Sequence, residues 1–209
     1  MEKVLLLDLD GTILKSSCIL EFASHIINKG VISHDEIHYK WLANKKNDSY
    51  IREFAEHFRR EIVGLRTDYV EELFNEFFNN FKFEYNEKII DLIKQCKAND
   101  FYCMIISGTI DFMVKRIAEH LGIEGVGSKY TLNSNSEYTG DIDIPMFSQK
   151  EKQKVIDSIL NDSVIEVIGA GDTTSDIPIA LTSDTFYLVD PNIHTIKEYA
   201  KLDIEYVLI

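Results

Sequence analysis

The stretch VLLLDLDGT (residues 4–12) places two aspartates directly after a continuous apolar run. Such a run is typical of a strand covered on both faces, as in the parallel sheets of α/β proteins. Asp8 and Asp10 lie two residues apart, so their side chains point to the same side of an extended chain. Carboxylates removed from water without partners are strongly destabilising, and at about 4 Å two of them repel each other. The stretch therefore predicts a buried strand whose end faces a positive group.

The 209-residue chain has the composition of a globular protein, with 45% hydrophobic and 27% charged residues and a formal charge of −13. This length suits one large domain, or one domain with an insertion. The acidic balance argues against a nucleic-acid surface, which needs clustered Lys and Arg. No stretch has the length of a membrane span or the pattern of a secretory signal, and the three cysteines form no CxxC pair. We therefore expect a cytoplasmic protein with reduced thiols and with neither nucleic acid nor membrane as a partner; these patterns predict no particular oligomeric state.

The periodicity of the apolar residues divides the chain into two kinds of structure. Residues 15–83 carry them at helical spacing, which predicts three or four amphipathic helices in a separate small bundle. The rest alternates strands with helices of about 10 to 15 residues, the pattern of a doubly wound parallel sheet. Strands are predicted at 4–7, 101–107, 164–169 and 185–189, and a hairpin near 126–142. The predicted architecture is an α/β core, residues 1–14 and 84–209, with an inserted α-helical cap at 15–83.

Three of the predicted strands lead into polar residues. They are followed by DLD (residues 8–10), by SGT (107–109) and by GDTTSD (171–176). Because ligands of such sheets bind at the carboxyl ends of the strands, near the topological switch point, we expect these groups to meet in one site. The carboxylates concerned are Asp8, Asp10, Asp172 and Asp176. Their common requirement is a cation.

The segments DLDGT, IISGT, a lysine ahead of an apolar helix, and GDTTSD, in this order, resemble the four motifs of the haloacid dehalogenase superfamily. More narrowly, the chain is similar to the phosphoserine phosphatase-like branch, whose helical cap follows the first motif. The insertion at 15–83 stands at that place. The resemblance implies a Rossmann-like core with a helical cap. It also implies a Mg²⁺-dependent phosphatase that hydrolyses a small phosphorylated metabolite through an aspartyl-phosphate.

The resemblance implies a role for each residue of the motifs. Asp8 is the nucleophile, and Asp10 is the general acid for the leaving oxygen and then the general base for water. Ser107 and Lys152 complete the implied catalytic set. In phosphoryl transfer, the protein contributes mostly positioning and electrostatic stabilisation. The residues implied to contact the phosphoryl oxygens are Leu9, Ser107, Gly108 and Lys152, with Leu9 and Gly108 acting through their backbone amides.

The metal site implied by the resemblance consists of Asp8, the backbone carbonyl of Asp10, and Asp172, with Asp176 beside the ion or bound to it through water. Small, hard Mg²⁺ suits a shell of carboxylates and waters that shares a phosphate oxygen. Together with a lysine, this ion supplies the positive charge that the end of the first strand requires.

Three lysines, Lys150, Lys152 and Lys154, cluster where the third motif is expected. Lys152 lies on the first turn of the predicted helix and twelve residues after Gly140, a spacing that resembles that of the branch. We therefore assign the motif to Lys152, with Lys150 as the alternative.

The substrate depends on the cap. Phosphoserine phosphatases that resemble this chain place a glutamate nine residues after the nucleophile, whereas this chain has Ser17 there and Glu21 one helical turn later. The sequence therefore does not point to phosphoserine itself. Arg59 and Arg60 are candidates to meet a substrate anion from the cap, and a solvated helix face explains them equally well.

Two other functions stay open at this point. A phosphotransferase or phosphomutase of the superfamily would pass the phosphoryl group from Asp8 to an acceptor hydroxyl instead of water. A non-catalytic protein that binds a phosphorylated metabolite would keep the same scaffold. Asp10 favours phosphoryl transfer over carbon–halogen cleavage, because the superfamily's dehalogenases lack this second acid. Ser107 has a second interpretation as the N-cap of the following helix.

Overall fold

The computed structural model describes residues 2–33 and 48–209 of the chain. The strands in these ranges are β1 (Lys3–Leu7), β2 (Tyr102–Ile110), β3 (Glu124–Leu132), β4 (Tyr138–Ile144), β5 (Glu166–Gly171), β6 (Thr185–Leu188) and β7 (Val207–Leu208). They form one sheet in the order β4-β3-β2-β1-β5-β6-β7. Neighbours are parallel except β3 and β4, which form an antiparallel hairpin. The predicted parallel α/β sheet and its hairpin are confirmed.

The helices in the described ranges are α1 (Cys18–Asn28), α2 (Asp48–Glu61), α3 (Thr67–Asn80), α4 (Glu87–Ala98), α5 (Asp111–Leu121), α6 (Gln149–Ile159), α7 (Ile177–Thr182) and α8 (Ile193–Lys201). A single 3₁₀ turn, Thr174–Asp176, precedes α7. Among the helices of this part of the chain, none combines the length and the apolar character that crossing a bilayer requires.

The central strand β1 is buried on both sides, as its apolar run predicts. Leu5 and Leu7 belong to the hydrophobic cluster on one face of the sheet, and Val4 and Leu6 belong to the cluster on the other face. All four side chains are fully buried. Full burial of each such side chain contributes about 1.5–3 kcal/mol to the stability of the folded state. This burial holds β1 in the sheet and so fixes the position of the residues that follow it.

The helical insertion leaves and re-enters the sheet at adjacent segments. Two backbone hydrogen bonds of 2.9 Å join residues 13–15 to residues 84–86. Helices α1, α2 and α3 contribute buried side chains to the same hydrophobic cluster as β1 and α5. The division into a core and a cap at 15–83 stays a prediction, and residues 34–47 of that cap lie outside the described part.

Strand β2 is longer than the sequence predicts. We expected it to end at Ser107, but it continues to Ile110, so that SGT lies inside the strand. Its pairing with β3 shifts register between Ile106 and Ile110. In this interval the carbonyl of Gly108 accepts a hydrogen bond of 2.7 Å from Oγ of Ser128 on β3. This side-chain bond accompanies the extension of β2 through a polar segment at which we expected the strand to end.

Candidate active site

The carboxyl ends of β1, β2 and β5 meet at the centre of the sheet. Asp8 follows β1 directly, and its backbone N–H donates to the carbonyl of Ala170 on β5 at 3.0 Å. Nζ of Lys152 lies 2.9 Å from Oδ1 of Asp8 and 2.6 Å from Oδ1 of Asp176. The structure therefore brings residues of the first, third and fourth motifs into direct contact.

Lys152 is fully buried, which is rare for a lysine without partners. It lies on the inner face of α6 with Ile156 and Ile159, at the helical spacing of four and seven residues. Lys150 and Lys154 are exposed, and Lys154 pairs with a neighbouring glutamate at 2.7 Å. Of the three lysines, the geometry brings Lys152 to Asp8.

Burial dominates the electrostatics of this site. It raises the pKa of Asp8 to about 8, while the charge of Lys152 acts in the opposite direction and those of Asp176 and Asp10 add to the increase. Burial lowers the pKa of Lys152, but the charges and hydrogen bonds of Asp176 and Asp8 raise it above its usual value. Lys152 is therefore a protonated cation. Ionisation of Asp8 at neutral pH requires further positive charge nearby.

Asp8, Asp172 and Asp176 form a group that fits a divalent cation. Each offers a carboxylate oxygen, and these three atoms lie within 4.8 Å of one another. Carboxylate oxygens are the ligands that hard cations such as Mg²⁺ prefer. With Lys152, the three carboxylates carry a formal charge of −2 when all are ionised, which a divalent ion neutralises.

Asp176 has further partners that fix the loop of the fourth motif. Its Oδ2 accepts hydrogen bonds from the backbone N–H of Asp172 at 3.1 Å and of Thr173 at 3.0 Å. Its Oδ1 accepts the bond from Lys152. Asp176 therefore orders the loop that carries Asp172, in addition to lying next to the cation position.

Gly11 allows the first motif to approach the fourth. Its φ is +85°, and a Cβ at this position would lie 2.2 Å from Oδ2 of Asp172. We expect Gly11→Ala to lower the free energy of unfolding by about 1–3 kcal/mol through backbone strain. We also expect it to weaken divalent-cation binding roughly 10- to 100-fold, because it displaces the Asp172 carboxylate. Denaturant unfolding and calorimetric titration with Mg²⁺ measure the two effects.

The matched control for Gly11→Ala is Gly64→Ala. Gly64 has a similar φ of +80°, but no atom of the described residues lies within 4 Å of a Cβ built there. It should therefore reproduce the strain without changing cation binding. Equal cation affinity in the two variants would contradict the role assigned to Gly11.

Asp10 has different surroundings from Asp8. Its Oδ1 accepts a hydrogen bond of 2.5 Å from the backbone N–H of Cys18, and its Oδ2 accepts one of 2.5 Å from Oγ1 of Thr109. Burial raises the pKa of Asp10, and the bonds from Thr109 and Cys18 oppose the increase. A buried carboxyl group with a raised pKa has the property required of a general acid near neutral pH.

Ser107 is buried beside these groups, but not as a helix cap. Its Oγ accepts a hydrogen bond of 3.2 Å from the backbone N–H of Thr109. The N-cap of α5 is Ile110, which makes no side-chain capping bond. The interpretation of Ser107 as an N-cap is therefore wrong, because β2 continues past it.

Gly108 packs against the loop that leads to α6. A Cβ at Gly108 would lie 3.0 Å from Cβ of Phe147. Ser128 joins the same two segments, because its buried Oγ donates to the Gly108 carbonyl and accepts a 3.0 Å bond from the N–H of Met146. The backbone amides of Leu9 and Gly108 were predicted to contact a phosphoryl group, and that role stays a prediction.

Near the site, Ser128 and Tyr199 were not identified from the sequence, whereas Thr109 was expected there as part of SGT but was given no role. The fully buried Tyr199 of α8 donates from its hydroxyl to the carbonyl of Thr173 at 3.2 Å. The position of Thr109 in SGT was a usable signal, since it follows Ser107 by two residues. Ser128 and Tyr199 carry no local signal, because their roles depend on contacts between distant segments.

The cap candidates have distinct positions. The guanidinium of Arg59 contacts Glu56 and the backbone carbonyl of Gly140 in the hairpin, whereas Arg60 is exposed. Ser17 is the N-cap of α1 and makes no side-chain capping bond, and Glu21 lies in the first turn of α1. Arg59 therefore joins α2 to the hairpin.

Comparisons with known proteins identify the family of this chain. A family model for haloacid dehalogenase-like hydrolases matches residues 5–181. A phosphoserine phosphatase of Albidiferax ferrireducens is 23% identical over 184 residues, which cover 85% of this chain and 74% of that protein.

Solved structures show the same fold. A Bordetella pertussis Tohama I protein of unknown function aligns with a TM-score of 0.78 and 15% identity, covering 99% of this chain and 98% of that one. A phospho-aspartyl intermediate analogue of phosphoserine phosphatase aligns with a TM-score of 0.62 and 18% identity, covering 100% and 93%. The resemblance given by the four motifs is confirmed: the chain belongs to the haloacid dehalogenase-like hydrolase family, with phosphoserine phosphatases among its relatives.

Proposed function

We propose that this protein is a Mg²⁺-dependent phosphatase that hydrolyses a small phosphorylated metabolite through an aspartyl-phosphate. The observation that carries the proposal is the buried contact of Lys152 with Asp8 and Asp176, next to Asp172. Such a site offers a carboxylate as the nucleophile, a fixed cation and three carboxylate oxygens close enough together to bind a second cation. The phosphatase relatives support the same reaction, and the three buried free cysteines agree with a cytoplasmic location.

In the first half of the proposed reaction, Lys152 and Ser107 hold the phosphoryl oxygens. A carboxylate oxygen of Asp8 attacks phosphorus in line, and the bond between phosphorus and the leaving oxygen breaks. Asp10 gives its proton to that leaving oxygen, which departs as an alcohol. Asp8 and Asp172 would hold Mg²⁺, which would neutralise charge on the phosphoryl group.

In the second half, Asp10 is a carboxylate and acts as a general base. It accepts a proton from a water molecule, whose oxygen attacks the phosphorus of the aspartyl-phosphate. The bond between phosphorus and Asp8 breaks, which releases inorganic phosphate and restores the free carboxylate. Lys152 stays protonated throughout and offsets the charge on Asp8 and Asp176.

The proposed substrate is a phosphomonoester other than phosphoserine. The reason is that Ser17 occupies the position at which phosphoserine phosphatases similar to this chain have a glutamate. A phosphotransferase would use the same first half and differ only in the acceptor. Including an alcohol in the assay distinguishes the two, because a transferase converts the alcohol to its phosphate ester. A screen of phosphorylated metabolites would then identify the substrate.

Removal of divalent cations tests the proposal. We expect EDTA to reduce the hydrolysis of p-nitrophenyl phosphate to background and added Mg²⁺ to restore it. Mg²⁺ should also raise the Tm of the enzyme, because a ligand of the native state stabilises it. Asp172→Asn serves as the control, since it should reduce that increase in Tm. Hydrolysis that continues unchanged in EDTA, or stays at background in Mg²⁺, would contradict the proposal.

A further inference from the structure

Thr109 contacts the proposed general acid through a buried hydroxyl. Its side chain is only 3% exposed, and its Oγ1 lies 2.5 Å from Oδ2 of Asp10. The backbone N–H of Cys18 binds the other oxygen, Oδ1, at 2.5 Å. Each oxygen of the carboxyl group therefore accepts a bond, and of the two side chains that hydrogen-bond to Asp10, Thr109 and Ser107, Thr109 has the larger effect on its pKa.

Thr109 is itself held in a fixed orientation. Its backbone N–H donates to Oγ of Ser107 at 3.2 Å. Its carbonyl oxygen lies against β3 so closely that a Cβ at Gly127 would come within 2.4 Å of it. A β-branched side chain also has few χ1 rotamers. The backbone of β2 therefore fixes the direction of the Thr109 hydroxyl. The hydrogen bond from this hydroxyl in turn fixes the orientation of the Asp10 carboxyl group.

We infer that Thr109 is a positioning residue that orients the carboxyl group of Asp10 toward the leaving oxygen. The inference rests on the proposed function, which gives Asp10 its role as the acid. Proton transfer requires the acid within hydrogen-bond reach of the leaving oxygen, and a displacement of about 1 Å costs roughly 10²-fold in rate. Without the Thr109 bond, the carboxyl group keeps the Cys18 bond and the weaker Ser107 interaction, and it can rotate away from the leaving oxygen.

The test compares two substrates that differ in their need for an acid. The nitrophenolate of p-nitrophenyl phosphate departs without a proton, whereas the poorer leaving group of phenyl phosphate needs one. We expect Thr109→Val and Thr109→Ala to lower kcat/KM for phenyl phosphate roughly 10- to 100-fold, and for p-nitrophenyl phosphate less than about threefold. Thr109→Ser keeps the hydroxyl and should restore the wild-type ratio of the two values.

A purely structural role gives a different result. Such a role would lower kcat/KM by the same factor for both substrates. The inference would therefore be overturned if the Val and Ala variants both kept the wild-type ratio of the two kcat/KM values, whether or not the values themselves fell. Two deletions of the hydroxyl, one isosteric and one smaller, keep the test decisive if one of them folds poorly. The proposed function is tested by hydrolysis with the wild-type enzyme in Mg²⁺, which does not depend on the Thr109 variants. Failure of the inference is therefore distinguishable from failure of the proposed function.

Discussion

Asp8→Asn is expected to lower turnover by roughly 10⁵-fold or more while the fold is retained. The amide has the same shape as the carboxylate but does not attack phosphorus. Asp8 is buried and contacts Lys152, which keeps its second partner, Asp176, in the variant. Phosphate release measures turnover, and thermal unfolding checks the fold.

The control for Asp8→Asn is the same change at Asp143, an exposed carboxylate of β4. Asp143→Asn should leave turnover and Tm close to those of the wild type, because surface substitutions change stability by about 0.5 kcal/mol at most. If Asp8→Asn kept turnover within about tenfold of the wild type, a nucleophile elsewhere would be required, since a lost nucleophile costs far more.

Lys152→Met is the second large effect we expect. It removes the cation that contacts Asp8 and Asp176, and so leaves two buried carboxylates without it. Losing one partner of a buried ion pair costs about 3–5 kcal/mol of unfolding free energy. Turnover should fall roughly 10²- to 10³-fold, the usual effect of removing one group that stabilises transition-state charge. Denaturant unfolding in EDTA and steady-state kinetics in Mg²⁺ measure the two quantities.

Lys150→Met and Lys154→Met are matched controls on the same helix, because both lysines are exposed. Each should change the unfolding free energy by no more than about 0.5 kcal/mol and leave turnover unaffected. Mg²⁺ should recover part of the stability lost in Lys152→Met, since it supplies positive charge at the same point. Loss of turnover in Lys150→Met, with Lys152→Met active, would reverse the assignment of the third motif.

Local patterns were enough to predict the parts of the fold that depend on burial. The apolar run before Asp8 indicated a strand covered on both faces, and its side chains do alternate between the two hydrophobic clusters. Lys152 was selected from its place on the first turn of the predicted helix and its spacing from Gly140, and it lies on the buried face of α6 with Ile156 and Ile159. In both cases the signal lies in the same part of the sequence as the feature it predicts.

The features that the sequence did not predict depend on contacts between distant segments. The extension of β2 past Ser107 is associated with a bond from Ser128, which is 20 residues from Gly108. Arg59 was a candidate for a substrate anion, but it contacts the carbonyl of Gly140, 81 residues away. Such pairings follow from the register of the hairpin and the position of α2, which no local pattern encodes.

The most direct test of the account is the covalent state of Asp8 during turnover. Asp10→Asn should slow hydrolysis of the aspartyl-phosphate, because it removes the general base. We therefore predict that this variant, quenched in acid after mixing with p-nitrophenyl phosphate, whose leaving group needs no acid, and Mg²⁺, carries a phosphoryl group on Asp8 in peptide mass spectra. A phosphoryl group found on Ser107 instead, or no adduct on Asp8 while phosphate is still released, would contradict it.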